Sequence, residues 1–250
     1  MNDTMKTHFV GYGKSDTGNI RRFNEDSYLV DHKKKLFAIA DGVGGEGSGK
    51  LASDLAIQRL GSLIADVQAE VPHINQSIGH TILERLDKDI LEAGSREQVD
   101  GAFASTLSAL IIRSPETALL MHAGDSRIYG YQSGHLKPLT EEHTLANELR
   151  LQGQVEIDSA TEHALVNCLG KMRPEWNEVR VFNTQPYQAL MICSDGLSKS
   201  IKHTSMEGII AENLNNPYSC IDEFIRKARD AGAEDNITVI IVLRDGDNLE

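Results

Sequence analysis

Four short apolar runs in this chain each border an aspartate. Leu36-Phe37-Ala38-Ile39-Ala40 runs into Asp41-Gly42, Met121-His122-Ala123 into Gly124-Asp125-Ser126, and Met191-Ile192-Cys193 into Ser194-Asp195-Gly196, while a fourth run, Ile237–Leu243, begins just after Glu234-Asp235-Asn236. Short apolar runs bounded by turn residues read as buried β-strands. One aspartate before a glycine is ordinarily a turn. The same residue at four buried strand ends asks for more. If the tips converge, four carboxylates meet in one place, where they repel and raise one another's pKa. A hard divalent cation with oxygen ligands, Mg²⁺ or Mn²⁺, removes that conflict.

The rest of the chain alternates between two periods. Leu51, Leu55, Leu60, Ile64 and Val67 form one helical stripe, and Ile74, Ile78, Ile82, Leu86 and Ile90 a second, so two consecutive amphipathic helices are expected between Lys50 and Ala93. Thr106–Ile112, Ala118–Ala123 and Arg127–Tyr131 then read as closely spaced strands, which predicts an antiparallel meander. Ala189–Cys193 and Ile237–Leu243 are further strands, and Met206–Leu214 and Ile221–Ala231 further helices. The segment Gly134–Tyr187 is mixed, with a short helix over Thr144–Gln152. Strands and helices grouped in runs indicate an α+β fold, sheets inside and helices outside. A length of 250 residues fits one domain.

Charge and cysteine usage narrow the function. A net charge of −12 leaves nothing to neutralise a phosphate backbone, so nucleic acid is not an expected partner. Any phosphate handled here must be met by metals or by a few local arginines. Cys168, Cys193 and Cys220 are odd in number and far apart, which suits neither a disulfide framework nor a cysteine zinc site. Met1–Val10 is polar and carries no signal-peptide core. No stretch approaches the ~18 apolar residues of a membrane span. The cytoplasm is the expected location.

Other motifs give competing readings. Gly42-Val43-Gly44-Gly45-Glu46-Gly47 fits G-x-G-x-x-G, and Gly44–Lys50 fits the start of a P-loop. The P-loop requires Ser or Thr after its lysine, and here Leu51 follows; the dinucleotide motif requires a compact βαβ unit, and here two helices intervene. The glycines read instead as positions of close backbone approach. Ser194 lies in no G-x-S-x-G elbow, and the histidines show no metal-ligand spacing. His122, Met121, Met191 and Trp176 read as packing residues. Arg21 and Arg22 beside Asn24-Glu25-Asp26 read alone as a solvated charge run; beside a metal, an arginine is the expected phosphate clamp.

Arg21-x-x-Asn24-Glu25-Asp26-Ser27, Asp41-Gly42-Val43-Gly44-Gly45, Gly124-Asp125-Ser126-Arg127, Ser194-Asp195-Gly196-Leu197 and Glu234-Asp235-Asn236-Ile237-Thr238 occur in that order. Through them the chain resembles the metal-dependent Ser/Thr protein phosphatases of the 2C type, in their compact bacterial form, over roughly Gly11 to Leu243. The resemblance implies a sandwich of two antiparallel sheets flanked by helices on both sides, a single catalytic domain over residues 1–250, and a variable flap at about 135–187. It implies that Asp41 bridges two Mn²⁺ or Mg²⁺ ions, with the Gly42 carbonyl on one and Asp195 and Asp235 on the other. Glu25 and Asp26 would hold metal-bound waters, Arg21 the substrate phosphate, and Asp125, helped by Asp195, a third and weaker ion. Arg21 and Asp41 are thus the candidate catalytic residues. The implied reaction is hydrolysis of phosphoserine or phosphothreonine by a water bridging the ions, without a covalent phosphoenzyme. Phosphoprotein substrates and a cognate Ser/Thr kinase are the implied partners, and a monomer is expected because no long apolar surface stripe is left over. A catalytically weak phosphoprotein-binding module and a small-molecule phosphatase are the alternatives.

Three departures stand out. Where some relatives carry a histidine proposed as general acid, this chain has Val43, so the leaving-group proton would come from a metal-bound water or from the substrate's surroundings. Glu142-His143-Thr144 stands where relatives often have Asp-His-Ser. Residues Glu156–Trp176 match the family poorly outside Asn167–Gly170.

Overall fold

Strict alternation in the central strands sets the layers. Strand β3 (Leu36–Val43) sends Leu36, Ala38 and Ala40 to one side and Phe37 and Ile39 to the other, so it must be covered on both faces. The computed structural model describes residues 8–45, 47–71, 73–97, 102–154, 157–158, 161 and 164–245. Among them one antiparallel sheet has the order β2 (Asp26–Asp31), β3, β5 (Leu107–Ser114), β6 (Thr117–Ala123), β9 (Glu178–Asn183), with the two-residue β4 (Ala104–Ser105) pairing β3. The second has the order β1 (His8–Asp16), β11 (Ile237–Asp245), β10 (Ala189–Cys193), β7 (Arg127–Gln132), β8 (His135–Pro138). All pairings are antiparallel.

Three apolar layers result. Phe37, Ile39, Leu110, Leu120, Ile128, Ile192 and Ile240 fill the space between the sheets. Helices α1 (Ser48–Glu70) and α2 (Gln76–Glu97) close the outer face of the first sheet through Leu60, Ile64, Leu86 and Ile90. Helices α4 (Asp195–Ser200), α5 (His203–Asn213) and α6 (Pro217–Asp230) close the second through Leu197, Ile210, Phe224 and Ala228. The remaining helix, α3 (Leu145–Leu151), is capped by Thr144, whose side chain accepts from the Asn147 amide. The expected α+β sandwich with helices on both sides is the architecture found.

Two expectations are corrected. β5 and β6 pair, but β7 leaves their sheet and pairs with β10, so the three do not form one meander. The departure occurs at Gly124, whose φ of +124° turns the chain out of the sheet. Strand spacing carries no signal for that crossing. In α1, Leu51 is exposed and the buried face is instead Ala52, Ala56, Leu60 and Ile64. The small residues face inward because the helix starts hard against β3: a Cβ on Gly42 would lie 2.1 Å from the Gly49 carbonyl oxygen. Part of the segment 156–176 lies outside the described residues, as does most of Met1–Val10.

The registers bring the aspartate-bearing tips together. Asp26, opening β2, stands opposite Asp41 near the end of β3. The end of β3 meets the start of β5, where Leu107 pairs with Ala123 at the end of β6. In the other sheet Cys193, ending β10, pairs with Arg127 at the start of β7 and with Val239 near the start of β11. Asp41, Asp125, Asp195 and Asp235 therefore sit at one end of the sandwich.

Candidate metal centre

The charges at that end act on one another. Asp41 is held well above the usual carboxylate pKa, first by burial and then by Asp26, Asp195, Asp125 and Asp235. Burial, with Asp195 and Asp235, raises Asp26 to about 7 against the pull of two hydroxyl hydrogen bonds. Burial and Asp195 likewise raise Asp125 to about 7, against the pull of Lys199. The four strand-end aspartates thus converge, Asp26 joins them as a fifth carboxylate, and Glu25 adjoins them. Its carboxyl carbon and the Gly42 carbonyl oxygen both lie within about van der Waals reach of a Cβ placed on Gly49.

The donor set fits a hard cation. Glu25 Oε1, Asp26 Oδ1 and Asp195 Oδ1 are shielded from solvent and have no hydrogen-bond partner. Buried oxygens are otherwise almost always satisfied. Three orphaned carboxylate oxygens beside raised aspartates, with a backbone carbonyl at hand, are the ligand chemistry of Mg²⁺ or Mn²⁺.

A directed hydrogen-bond chain aims Asp26. Asn24 Nδ2 donates to Ser15 Oγ at 2.7 Å, Ser15 to Thr238 Oγ1 at 2.7 Å, and Thr238 to Asp26 Oδ2 at 2.6 Å. Ser194 Oγ donates to the same oxygen at 2.9 Å while accepting from the Thr238 amide. One oxygen of Asp26 is thereby anchored and the other left bare. Asn236 clamps the segment that carries Arg21 and Glu25. Its Oδ1 accepts from the Glu25 amide at 2.8 Å, and its Nδ2 donates to the carbonyls of Thr17 and Phe23. Sequence reasoning gave Ser194, Asn236 and Thr238 no role. All three lie inside its motifs, but what they grip is remote in the chain.

Arg21 is at the site, with Nη2 donating to Asp235 Oδ2 at 2.7 Å and about half its side chain open to solvent. Lys199 was not anticipated. Its ammonium contacts Asp195 Oδ2 and lies 3.5 Å from Asp125 Oδ2. Burial works to lower its pKa, but Asp195 and Asp125 outweigh burial and leave it raised.

The Glu142-His143-Thr144 departure has a local explanation. Glu142 pairs with Arg127. His143 clasps the Asp125 turn, its amide donating to the Gly124 carbonyl and its Nδ1 accepting from the Gly124 amide and from Asn167. Potential ligand atoms of His122, His143 and Glu178 lie within 4.8 Å of one another. Hydrogen bonding commits the rings elsewhere: His122 Nε2 donates to the Glu141 carbonyl and Nδ1 accepts from Ser108. Because His143 Nδ1 accepts, its Nε2 carries the proton. Burial holds His122 at about 4 and His143 at about 2. Neither ring offers a free lone pair, and neither is charged at neutral pH.

Residues 17–237 match the family model described as protein phosphatase 2C. The serine/threonine phosphatase stp of Listeria monocytogenes is 32% identical over 241 residues, 93% of this chain and 94% of the relative. The protein phosphatase PhpP of Streptococcus pneumoniae is 30% identical, covering 94% and 98%. The catalytic domain of the serine/threonine protein phosphatase PstP, solved in complex with two manganese ions, superposes with a TM-score of 0.78 at 25% identity, covering 95% of this chain and 98% of that one.

Proposed function

The chain belongs to the protein phosphatase 2C family, and from that premise we propose that the acidic end of its sandwich is the active site of a metal-dependent phosphatase acting on phosphoserine and phosphothreonine in proteins. One observation carries the reading: Glu25, Asp26 and Asp195 keep bare, buried oxygens at the same strand ends as Asp41 and Asp235. In this reading Asp41, the Gly42 carbonyl, Asp195 and Asp235 hold two Mn²⁺ or Mg²⁺ ions, and Glu25 and Asp26 order water around them. Bound there, the ions supply positive charge opposite the phosphoryl oxygens and lower the pKa of water.

The chain's own residues do the rest. A guanidinium carries five N–H donors. With one on Asp235, Arg21 keeps others for the substrate phosphate, and its fork matches phosphate oxygens. Val43 has no proton to give. Burial keeps His122 and His143 neutral at neutral pH, so neither carries the extra proton of a general acid, and the leaving oxygen takes its proton from water.

Ile20 is 70% and Phe23 56% exposed, flanking Arg21 with apolar surface that suits a polypeptide better than a small phosphate ester. Phosphoproteins require a Ser/Thr kinase to make them, which is the partner this activity opposes. Three free thiols suit a reducing cytoplasm. No helix among the described residues is long and apolar enough to cross a membrane. We take residues 1–250 as one catalytic domain acting as a monomer, with its variable flap at about 135–187.

The test is phosphate release from a phosphothreonine peptide with Mn²⁺ and with EDTA, beside Asp195→Ala. Release that needs metal and disappears in the variant is the expected result. A folded wild-type protein that releases nothing in Mn²⁺ would overturn it in favour of a phosphoprotein-binding module.

A further inference from the structure

The resemblance assigns a third, weaker ion to Asp125 and Asp195, but in this chain a side chain already reaches that place. Asp125 comes from the β6–β7 turn and is 4% exposed; Asp195 opens α4 and is 8% exposed. Lys199 lies four residues after Asp195, the spacing that puts two side chains on one face of a helix. Its ammonium contacts Asp195 Oδ2 and stands 3.5 Å from Asp125 Oδ2, joining two carboxylates brought together from distant parts of the chain. No other cation is paired with either one in the described structure.

We propose that Lys199 is a built-in cation that occupies the place between Asp125 and Asp195, so that this phosphatase holds two divalent ions rather than three. The inference rests on the metal-dependent reading above. An ammonium supplies one positive charge and three donors, enough to satisfy Asp195 Oδ2 and screen Asp125. A divalent ion entering the same space would meet a like charge a few ångströms away and would have to displace the lysine first. The tether differs from an ion in two ways: it does not wash out, and it has no Lewis acidity. Lys199 is therefore a positioning residue, holding the Asp125 turn against α4 whatever the free metal concentration.

Counting bound Mn²⁺ tests this without reference to turnover. The protein is titrated with MnCl₂ while the electron paramagnetic resonance signal of free Mn²⁺ is followed, for wild type, Lys199→Ala, and Lys199→Ala combined with Asp125→Ala. The expected counts are two ions for wild type through millimolar Mn²⁺, three for Lys199→Ala with the third the weakest, and two again for the double variant. Three ions in wild type, one of them lost in Asp125→Ala, overturns the inference, and that count needs no Lys199 variant to fold. A folded Lys199→Ala protein that still binds two overturns it as well. Wild-type protein binding fewer than two would overturn the metal-dependent reading and this inference with it, whereas three overturns only the inference.

Discussion

Asp26 and Asp41 stand directly opposite each other across the β2–β3 ladder. Side chains so paired share one face of the sheet with Cβ atoms about 4.5–5.5 Å apart, and like charges in that position repel. The cost depends on protonation. Burial first, and neighbouring carboxylates second, move Asp26 and Asp125 from 3.8 to about 7 and Asp41 well upward, so the native state binds protons that the unfolded chain has released. Stability then falls as pH rises through the folded pKa values. His122 and His143, held at about 4 and 2 from 6.5, act the other way below 6.5, so the clean window lies above it. In EDTA the melting temperature is expected to fall between pH 6.5 and 8, and with Mn²⁺ that fall should vanish. Calorimetry over the window checks both; a flat EDTA profile would refute the raised pKa values of these desolvated, mutually repelling carboxylates.

Replacing Asp41 by Asn removes a carboxyl that must either carry a charge opposite Asp26 or take up a proton on folding. Metal-free stability should rise, while kcat/KM with Mn²⁺ should drop on the order of 10²-fold or more, as when a charge-stabilising element of an active site is removed. Denaturant melts in EDTA and steady-state kinetics in Mn²⁺ give the two readings; loss of both stability and activity would mean that Asp41 is structural.

Asn236 makes three hydrogen bonds to main-chain groups of residues 17–25. At about 1 kcal/mol each, Asn236→Ala should cost about 2–3 kcal/mol. Local loosening should exceed global loss, visible as faster amide exchange at Glu25, whose N–H loses its acceptor. KM should rise more than kcat falls, because Arg21 rides on the same segment.

Phe23→Ala should separate protein from small-molecule substrates. KM for a phosphothreonine peptide is expected to rise several-fold, since a buried aromatic contact is worth about 1–3 kcal/mol, while KM for a small aryl phosphate stays unchanged. Equal effects on both would favour a small-molecule phosphatase.

The strands that bury both faces were legible: the apolar runs of β3, β6, β10 and β11 announce themselves, and their bordering aspartates led to the candidate metal centre. β1 and β2 were not. Gly11 and Gly13 in β1 have no side chains to show alternation, because Phe37 and Tyr28 fill the space where their Cβ atoms would be. The transfer of β7 between sheets was hidden for a related reason: strand spacing records that a turn exists, not which partner follows it. Arg21, Asp41 and Asp195 could be named from local motifs. Asn236 could not, because it acts on residues that only the finished fold brings near, and the contact of Lys199 with Asp125 is hidden for the same reason. Lys199 was nonetheless within reach, since a lysine four residues after a helix-opening aspartate lies on that aspartate's face.

Strand β11 lies between β1 and β10, which joins the earliest described strand to one formed some 180 residues later through a segment that leaves the ribosome after both. Asp235 and the Asn236 clamp travel with it. A chain halted before that point has Asp26 and Asp41 in its sequence but lacks the strand that joins β1 to β10 in the second sheet. On the metal-binding reading proposed above, the ion site is complete only once β11 is in place, because Asp235 and Asn236 immediately precede that strand.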